Sequence, residues 1–279
     1  MTIPAVDAHT GVAARGVARS FGSVHAVRDV TFDARPGRIT GLVGPNGAGK
    51  TTLFLMLATL LAPDRGEIRV GGVDPLTDPA TARARIGWMP DALGAWDSLT
   101  ARETLVVTGR LYGAAKTSAR RRADELLAEV GLRELAESPA RVLSRGQKQL
   151  LGLARALVHE PSVLLLDEPA SGLDPAARIA LRRHLRALAD DGAAILVSSH
   201  VLSELEEMVD DAVFISAGST VARDASPPRR RAWRLRIAGA AQAAAGLAAV
   251  IGAGVPVAAF APATGDLESA FLDLAGEGQ

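Results

Sequence analysis

Gly44-Pro45-Asn46-Gly47-Ala48-Gly49-Lys50-Thr51 fits the pattern G-x-x-x-x-G-K-[S/T], and its setting decides the fold. Just before it, Ile39 to Val43 is an apolar run that ends in glycine; just after it, Thr51 to Leu61 is suited to a helix and is stopped by Pro63-Asp64-Arg65-Gly66. Strand, glycine-rich loop and helix in that order make a phosphate-binding turn. The glycines let successive backbone N–H groups point inward as an anion nest, the helix N-terminus adds partial positive charge, and Lys50 supplies a mobile full charge. Lys50 is one of only three lysines, with Lys116 and Lys148, in a chain that otherwise uses arginine, which suits a site needing a compact ammonium. Gly44, Asn46, Gly47, Ala48, Gly49 and Lys50 are therefore candidate phosphate contacts, with Thr51 as a Mg2+ ligand through its hydroxyl and Thr52 as the next phosphate contact.

Around this loop the chain alternates strand and helix. Gly11 to Ser20 and Ala26 to Ala34 look like strands separated at Phe21-Gly22, and Glu67 to Val70 alternates as another. Thr100 to Ala136 has helical periodicity, with Arg120 to Arg122 on a solvated face. Val163 to Leu166 and Ala194 to Ser198 look like fully buried parallel strands, with Pro175 to Ala189 as the crossover helix between them. Ser226-Pro227-Pro228, followed by Arg229, Arg230 and Arg231, reads as a solvated linker, although such a run also suits anionic lipid or nucleic acid. The expected division is a disordered N-terminus over 1–10, a main domain over 11–225 with a helical part over about 92–158, a linker over 226–232, and a β-α-β-α unit over 233–279.

Composition sets the outer bounds. With 279 residues, 48% hydrophobic and 22% charged, the chain holds one or two folded domains and is not disordered. The 31 basic and 31 acidic residues balance, so no strongly basic nucleic-acid-binding domain is expected. The absence of cysteine excludes a disulfide framework, a thiolate metal site and a cysteine nucleophile. Met1 to Gly16 lacks the apolar run of a signal peptide. The uncharged stretch Ile237 to Gly265 is rich in Ala and Gly and broken by Pro256 and Pro262, which reads as a buried helix followed by a strand. A cytoplasmic location is expected, so any spanning segment belongs to another chain.

A second chemical signal is Val163-Leu164-Leu165-Leu166-Asp167-Glu168-Pro169, an apolar strand that ends in two acids. Charge there is costly unless a cation and a reaction require it. Asp167 can hold Mg2+, directly or through water, and Glu168 can polarise an attacking water as a general base. The alternative is a helix cap made of acids.

Shortly before the acid pair stands Leu143-Ser144-Arg145-Gly146-Gln147, and with it the sequence resembles the nucleotide-binding subunits of ATP-binding cassette (ABC) transporters, whose signature is LSGGQ. Further matches follow in that family's order: Ser171-Gly172-Leu173-Asp174 as the D-loop, Ser199-His200 as the switch histidine, and Phe21 at the aromatic position upstream of the phosphate loop. The resemblance covers about residues 12 to 222. It implies an α/β fold: a P-loop NTPase core of ABC ATPase type with an antiparallel β subdomain and a helical subdomain, to which the small C-terminal α+β unit is added.

It also implies roles. Phe21 would stack on adenine, worth about 1 to 3 kcal/mol by analogy with base stacking, unless it is a core residue. Glu168, His200 and Lys50 are the implied catalytic groups, with His200 contacting the γ-phosphate unless it is a structural histidine. Thr51, Asp167 and Asp91 are the implied metal ligands. Ser144, Gly146, Gln147 and Asp174 are implied nucleotide contacts, the first three to the nucleotide of an opposite subunit. One chain carries one phosphate loop and one signature, so a head-to-tail pair around two ATP molecules is implied, with itself or a sister subunit. The remaining implied partner is a separate transmembrane permease, which would hold the protein peripherally at the inner face of the membrane.

The sequence departs from the family's pattern in three places. Asp91 in Ile86-Gly87-Trp88-Met89-Pro90-Asp91 stands where a glutamine is usual; a carboxylate coordinates Mg2+ but cannot donate to water. Arg145 replaces the signature's middle glycine, adding charge near the partner's phosphates or pointing into solvent. Leu150 replaces an arginine and with it a salt bridge. The signature and the ending Leu267-Glu268-Ser269-Ala270-Phe271-Leu272 favour an exporter of a drug, lipid or polysaccharide. The alternatives are a soluble ATPase acting on ribosomes or DNA, against which stand the single cassette and the lack of a long coiled coil, and a low-turnover regulatory switch.

Overall fold

The computed structural model describes residues 11–91, 98–199 and 205–221. His200, the proposed linker and the C-terminal unit lie outside the described residues, as do residues 1–10.

The described strands form one nine-stranded sheet with two regions of different character. In the first, β1 (Val12–Phe21) pairs antiparallel with both β2 (Val24–Ala34) and β4 (Arg65–Val70). In β2 buried residues such as Val27, Val30, Phe32 and Ala34 are interleaved with exposed ones, as expected of a sheet wet on one face. In the second region β3 (Arg38–Val43), β5 (Ile86–Met89), β6 (Val163–Asp167), β7 (Ala194–Ser198) and β8 (Asp211–Ser216) run parallel. Here β6 and β7 are buried along their whole length, because helices cover both faces of a parallel sheet. The short β9 (Ser219–Thr220) joins the regions, pairing antiparallel with β8 and parallel with β2. The order is β4-β1-β2-β9-β8-β3-β7-β6-β5.

Alternation along the parallel strands sorts the core in two. Val163, Leu165, Leu196 and Leu42 face the antiparallel layer, and α1 (Lys50–Leu57) fills the space between with Leu53, Phe54, Met56 and Leu57. Leu164, Leu166, Ile195 and Val197 face the other way, toward α6 (Pro175–Asp190) and the helices α3 (Ala101–Leu111), α4 (Lys116–Glu129) and α5 (Arg145–Leu157). The helical insert is thus anchored on the face opposite α1. The short α2 (Pro79–Arg85) has no apolar period and is started instead by Asp78, which accepts from Thr81 N, and by Pro79 in its first turn.

Two expectations are corrected. The first helix ends at Leu57 rather than Leu61, because Thr59 takes a left-handed φ of 65°. Leu60 N then donates to Leu55 O at 2.9 Å and Thr59 N to Met56 O at 3.2 Å, closing the helix with the bonding of a Schellman motif. Glycine is the usual residue there. Of the arginines read as a solvated face, Arg120 and Arg121 are exposed, but Arg122 is half-buried. Its Nη2 donates to Leu157 O at 3.3 Å and ties α4 to α5. No described helix is long and apolar enough to cross a membrane.

Candidate nucleotide site

The parallel strands deliver chemistry to their carboxyl ends, where open α/β sheets place ligands. Loop 44–49 leaves β3 between two backbones. A side chain at Gly44 would stand 2.3 Å from Ile215 O, and one at Gly49, where φ is 99°, would stand 2.3 Å from Ala26 O. The loop closes only with glycine at these places. Ala48 is buried, and its N–H donates to Pro45 O at 3.2 Å. α1 begins directly on this loop with no side-chain cap and no acid in its first turn, so its N-terminal donors and positive dipole end suit an anion.

Lys50 is 8% exposed. Its Nζ donates to Gly44 O at 2.7 Å and Pro45 O at 3.1 Å. Burial pushes the ammonium below the usual lysine range, while the fields of Glu168 and Asp167 work in the opposite direction. The loop therefore holds a positive charge in a partly dehydrated place beside two carboxylates.

Asp167 is 4% exposed, and two hydroxyls hold its carboxylate: Ser198 Oγ donates to Oδ1 at 2.5 Å and Thr51 Oγ1 to Oδ2 at 3.2 Å. Ser198 is available because the β6–β7 register sets it opposite Asp167. The site thus offers a hydroxyl and a carboxylate side by side. Among the described residues no group of three His, Cys, Asp or Glu gathers as a metal cage. Such a set fits Mg2+, which keeps several waters and takes one or two carboxylates plus substrate phosphates.

The chain turns at Glu168, which has a left-handed φ of 54°. Its N–H donates to Ser198 Oγ at 3.1 Å, and its carbonyl accepts from Gln149 Nε2 at 2.7 Å and from Ser171 N at 3.0 Å. Neither Asp167 nor Glu168 caps a helix. That task belongs to Asp174, whose Oδ1 accepts from Ala177 N at 2.9 Å at the start of α6.

The other candidates are placed as follows. Thr52 is half-buried in the first turn of α1. Phe21 is 49% exposed and is not a core residue; the Arg19 guanidinium lies 5.1 Å from its ring centre. Its partner Val24 precedes Ala26, the residue against the loop, by two positions, or about 7 Å along the strand. Asp91 is exposed, and the pairing of Met89 with Leu166 brings it to the sheet edge that carries Asp167. Ser144 and Gln147 form a capping box: Gln147 N donates to Ser144 Oγ at 3.2 Å, and Ser144 N to Gln147 Oε1 at 2.9 Å. The Ser144 hydroxyl keeps its own proton to donate outward.

Two of the departures resolve. Arg145 is exposed, and its guanidinium is tied to its own chain: Nη2 donates to Ser171 Oγ at 2.7 Å. Leu150 packs half-buried against the helical core, filling apolar space. Sequence reading missed Ser198 and Gln149. Ser198 depends on strand register and gives no local signal, whereas Gln149 is a polar residue at the helical spacing of the buried Leu153, Ala156 and Leu157.

Comparison with known proteins gives one answer. The family model described as ABC transporter matches residues 27–171, more than half of the chain. The ATP-binding protein NatA of Bacillus subtilis (strain 168) is 37% identical over 203 residues, covering 72% of this chain and 82% of that protein. The Nod factor export ATP-binding protein I of Paraburkholderia xenovorans (strain LB400) is 40% identical over 210 residues, 75% of this chain and 69% of that one. The daunorubicin resistance ATP-binding protein DrrA3 of Streptomyces coeruleorubidus is 36% identical over 215 residues, 77% and 68% of the two chains. Among solved structures, an ATP-binding subunit of an ABC transporter superposes with a TM-score of 0.71 at 31% identity, covering 76% of this chain and 89% of that one. A dimeric ATP-binding cassette bound to ADP and Pi shares the fold, with a TM-score of 0.70 at 23% identity over 75% of this chain and 96% of the other. Fold, phosphate loop and relatives agree: the chain belongs to the ABC transporter family.

Proposed function

We propose that this chain is the ATP-binding and ATP-hydrolysing subunit of an ABC exporter, working as one of a head-to-tail pair that drives a separate permease from the inner face of the membrane. The observation that carries the reading is the meeting of Thr51 with Asp167 at 3.2 Å beside the loop-held Lys50. A hydroxyl, a buried carboxylate and an ammonium converge where a helix N-terminus already attracts anions.

Loop 44–49 and Lys50 bind the phosphates, Thr52 adds a hydroxyl, and the open face of Phe21 receives the adenine. Thr51 and Asp167, with Asp91 as a further oxygen donor, would hold Mg2+, which when bound neutralises charge on the phosphates. Glu168 takes a proton from the attacking water, so that ATP and water become ADP and phosphate. His200 contacts the γ-phosphate. Ser144, Gly146 and Gln147 reach the nucleotide on the partner chain, and Asp174, by capping α6, sets the end of the connecting loop at that interface. Export is supported by the relatives named for export and drug resistance; a drug, lipid or polysaccharide is the substrate class this reading carries.

The direct test is phosphate release from ATP by the purified protein, alone and in permease-containing membranes. Release is expected to require Mg2+ and, for the protein alone, to rise more steeply than in proportion to protein concentration, since each site needs two chains. No Mg2+-dependent release in either setting would overturn the assignment.

A further inference from the structure

The helix that begins at the signature also reaches into its own subunit. Gln149 is 4% exposed and lies in the buried stripe of α5. An amide there is costly unless its polar atoms are paired. Its Nε2 donates to the carbonyl of Glu168, the residue whose left-handed φ of 54° turns the chain off β6. One turn earlier Arg145 holds the same segment from the other end. Its guanidinium donates to Ser171 Oγ at 2.7 Å, and its stem lies where a side chain at Gly172 would stand only 3.0 Å from Arg145 Cδ. Gly146 lies between them, with room for a side chain denied by Gly172 O at 2.8 Å. Positions 145, 146 and 149 of α5 thus grip positions 168, 171 and 172.

We infer that Gln149 and Arg145 are positioning residues that couple the signature helix to the Glu168 carboxylate of the same chain. This rests on the proposed function, in which the N-terminus of α5 meets the nucleotide held by the partner and Glu168 serves the chain's own nucleotide. A shift of α5 on meeting the partner's phosphates then moves the backbone of Glu168, and occupancy of one site sets the base in the other. The coupling needs only small displacements, because a misplacement of about 1 Å at a reacting group can cost on the order of 100-fold in rate.

Gln149→Met keeps the length and bulk of the side chain and removes the donor. The expected result is a kcat lower by about tenfold, a Kd for a fluorescent ATP analogue within about twofold of wild type, and a Hill coefficient for ATP that falls toward unity. A merely structural role would lower nucleotide affinity and thermal stability together with kcat and leave the Hill coefficient unchanged, and that result overturns the inference. Should Gln149→Met fail to fold, Arg145→Ala at an exposed position gives the same reading: a lower kcat and Hill coefficient at unchanged Kd support the coupling, and wild-type values overturn it. Glu168→Gln measured alongside separates the two levels. If that variant releases phosphate at more than about a third of the wild-type rate, the base assignment fails; if its release falls by about 100-fold while Gln149→Met and Arg145→Ala turn over as wild type, only the coupling fails.

Discussion

Glu168→Gln is expected to lower Mg2+-dependent ATP hydrolysis by at least about 100-fold, within the usual contribution of a general base, while ATP binding stays within about threefold of wild type. The amide matches the carboxylate in shape but cannot accept the proton of the attacking water. The backbone bonds at this residue do not depend on the carboxylate and should stay: its N–H to Ser198 Oγ, and its carbonyl from Gln149 Nε2 and Ser171 N. Since the ATP-bound pair no longer turns over, it should accumulate as a species of doubled mass in size-exclusion chromatography with ATP. Phosphate release above a third of the wild-type rate would remove Glu168 from the role of base and favour a switch that works with little chemistry.

Lys50→Ala acts earlier in the cycle, and both binding and hydrolysis are expected to be lost. Lys50 is the full positive charge of the loop, held 2.7 Å from Gly44 O and 3.1 Å from Pro45 O in a buried place. Charge-assisted bonds to phosphate made there are stronger than in water. ATP affinity should fall by about 100-fold or more, read by titration with a fluorescent analogue. The loop itself should weaken, because the buried Gly44 carbonyl loses its donor, and a buried polar group left unpaired costs about 1–3 kcal/mol. The measurement is a lower denaturant midpoint for Lys50→Ala without nucleotide. Wild-type affinity would show that the loop backbone and the helix dipole carry the phosphates without the ammonium.

Much of this site is written locally. Residues 44–51 sit on a strand, a loop and a helix start because an apolar run, glycines and a helix-forming segment follow one another. The strands Val163–Asp167 and Ala194–Ser198 are legible because β-branched and leucine-rich runs flanked by turn residues are buried on both faces. What is not legible depends on partners distant in sequence or on an unusual residue in a special conformation. The early end of α1 comes from Thr59 taking a place that glycine usually holds. The hydroxyl of Ser198 reaches Asp167 only through the β6–β7 register, across 31 positions of chain. Arg145 could be placed by charge near a partner's phosphates, but its bond to Ser171 spans a helix and a strand. The capping box Ser144–Gln147 was open to reading as S-x-x-Q. Gln149 also left a trace, as the polar member of an otherwise apolar stripe.

The exporter assignment is decided by purification of tagged Glu168→Gln protein from gently solubilised membranes of its own cell with Mg2+ and ATP, followed by mass identification of what accompanies it. A strongly hydrophobic, multi-span membrane protein is expected in stoichiometric amount, retained with ATP. Ribosomal proteins, nucleic acid, or the tagged chain alone would contradict the exporter reading while leaving the nucleotide site in place.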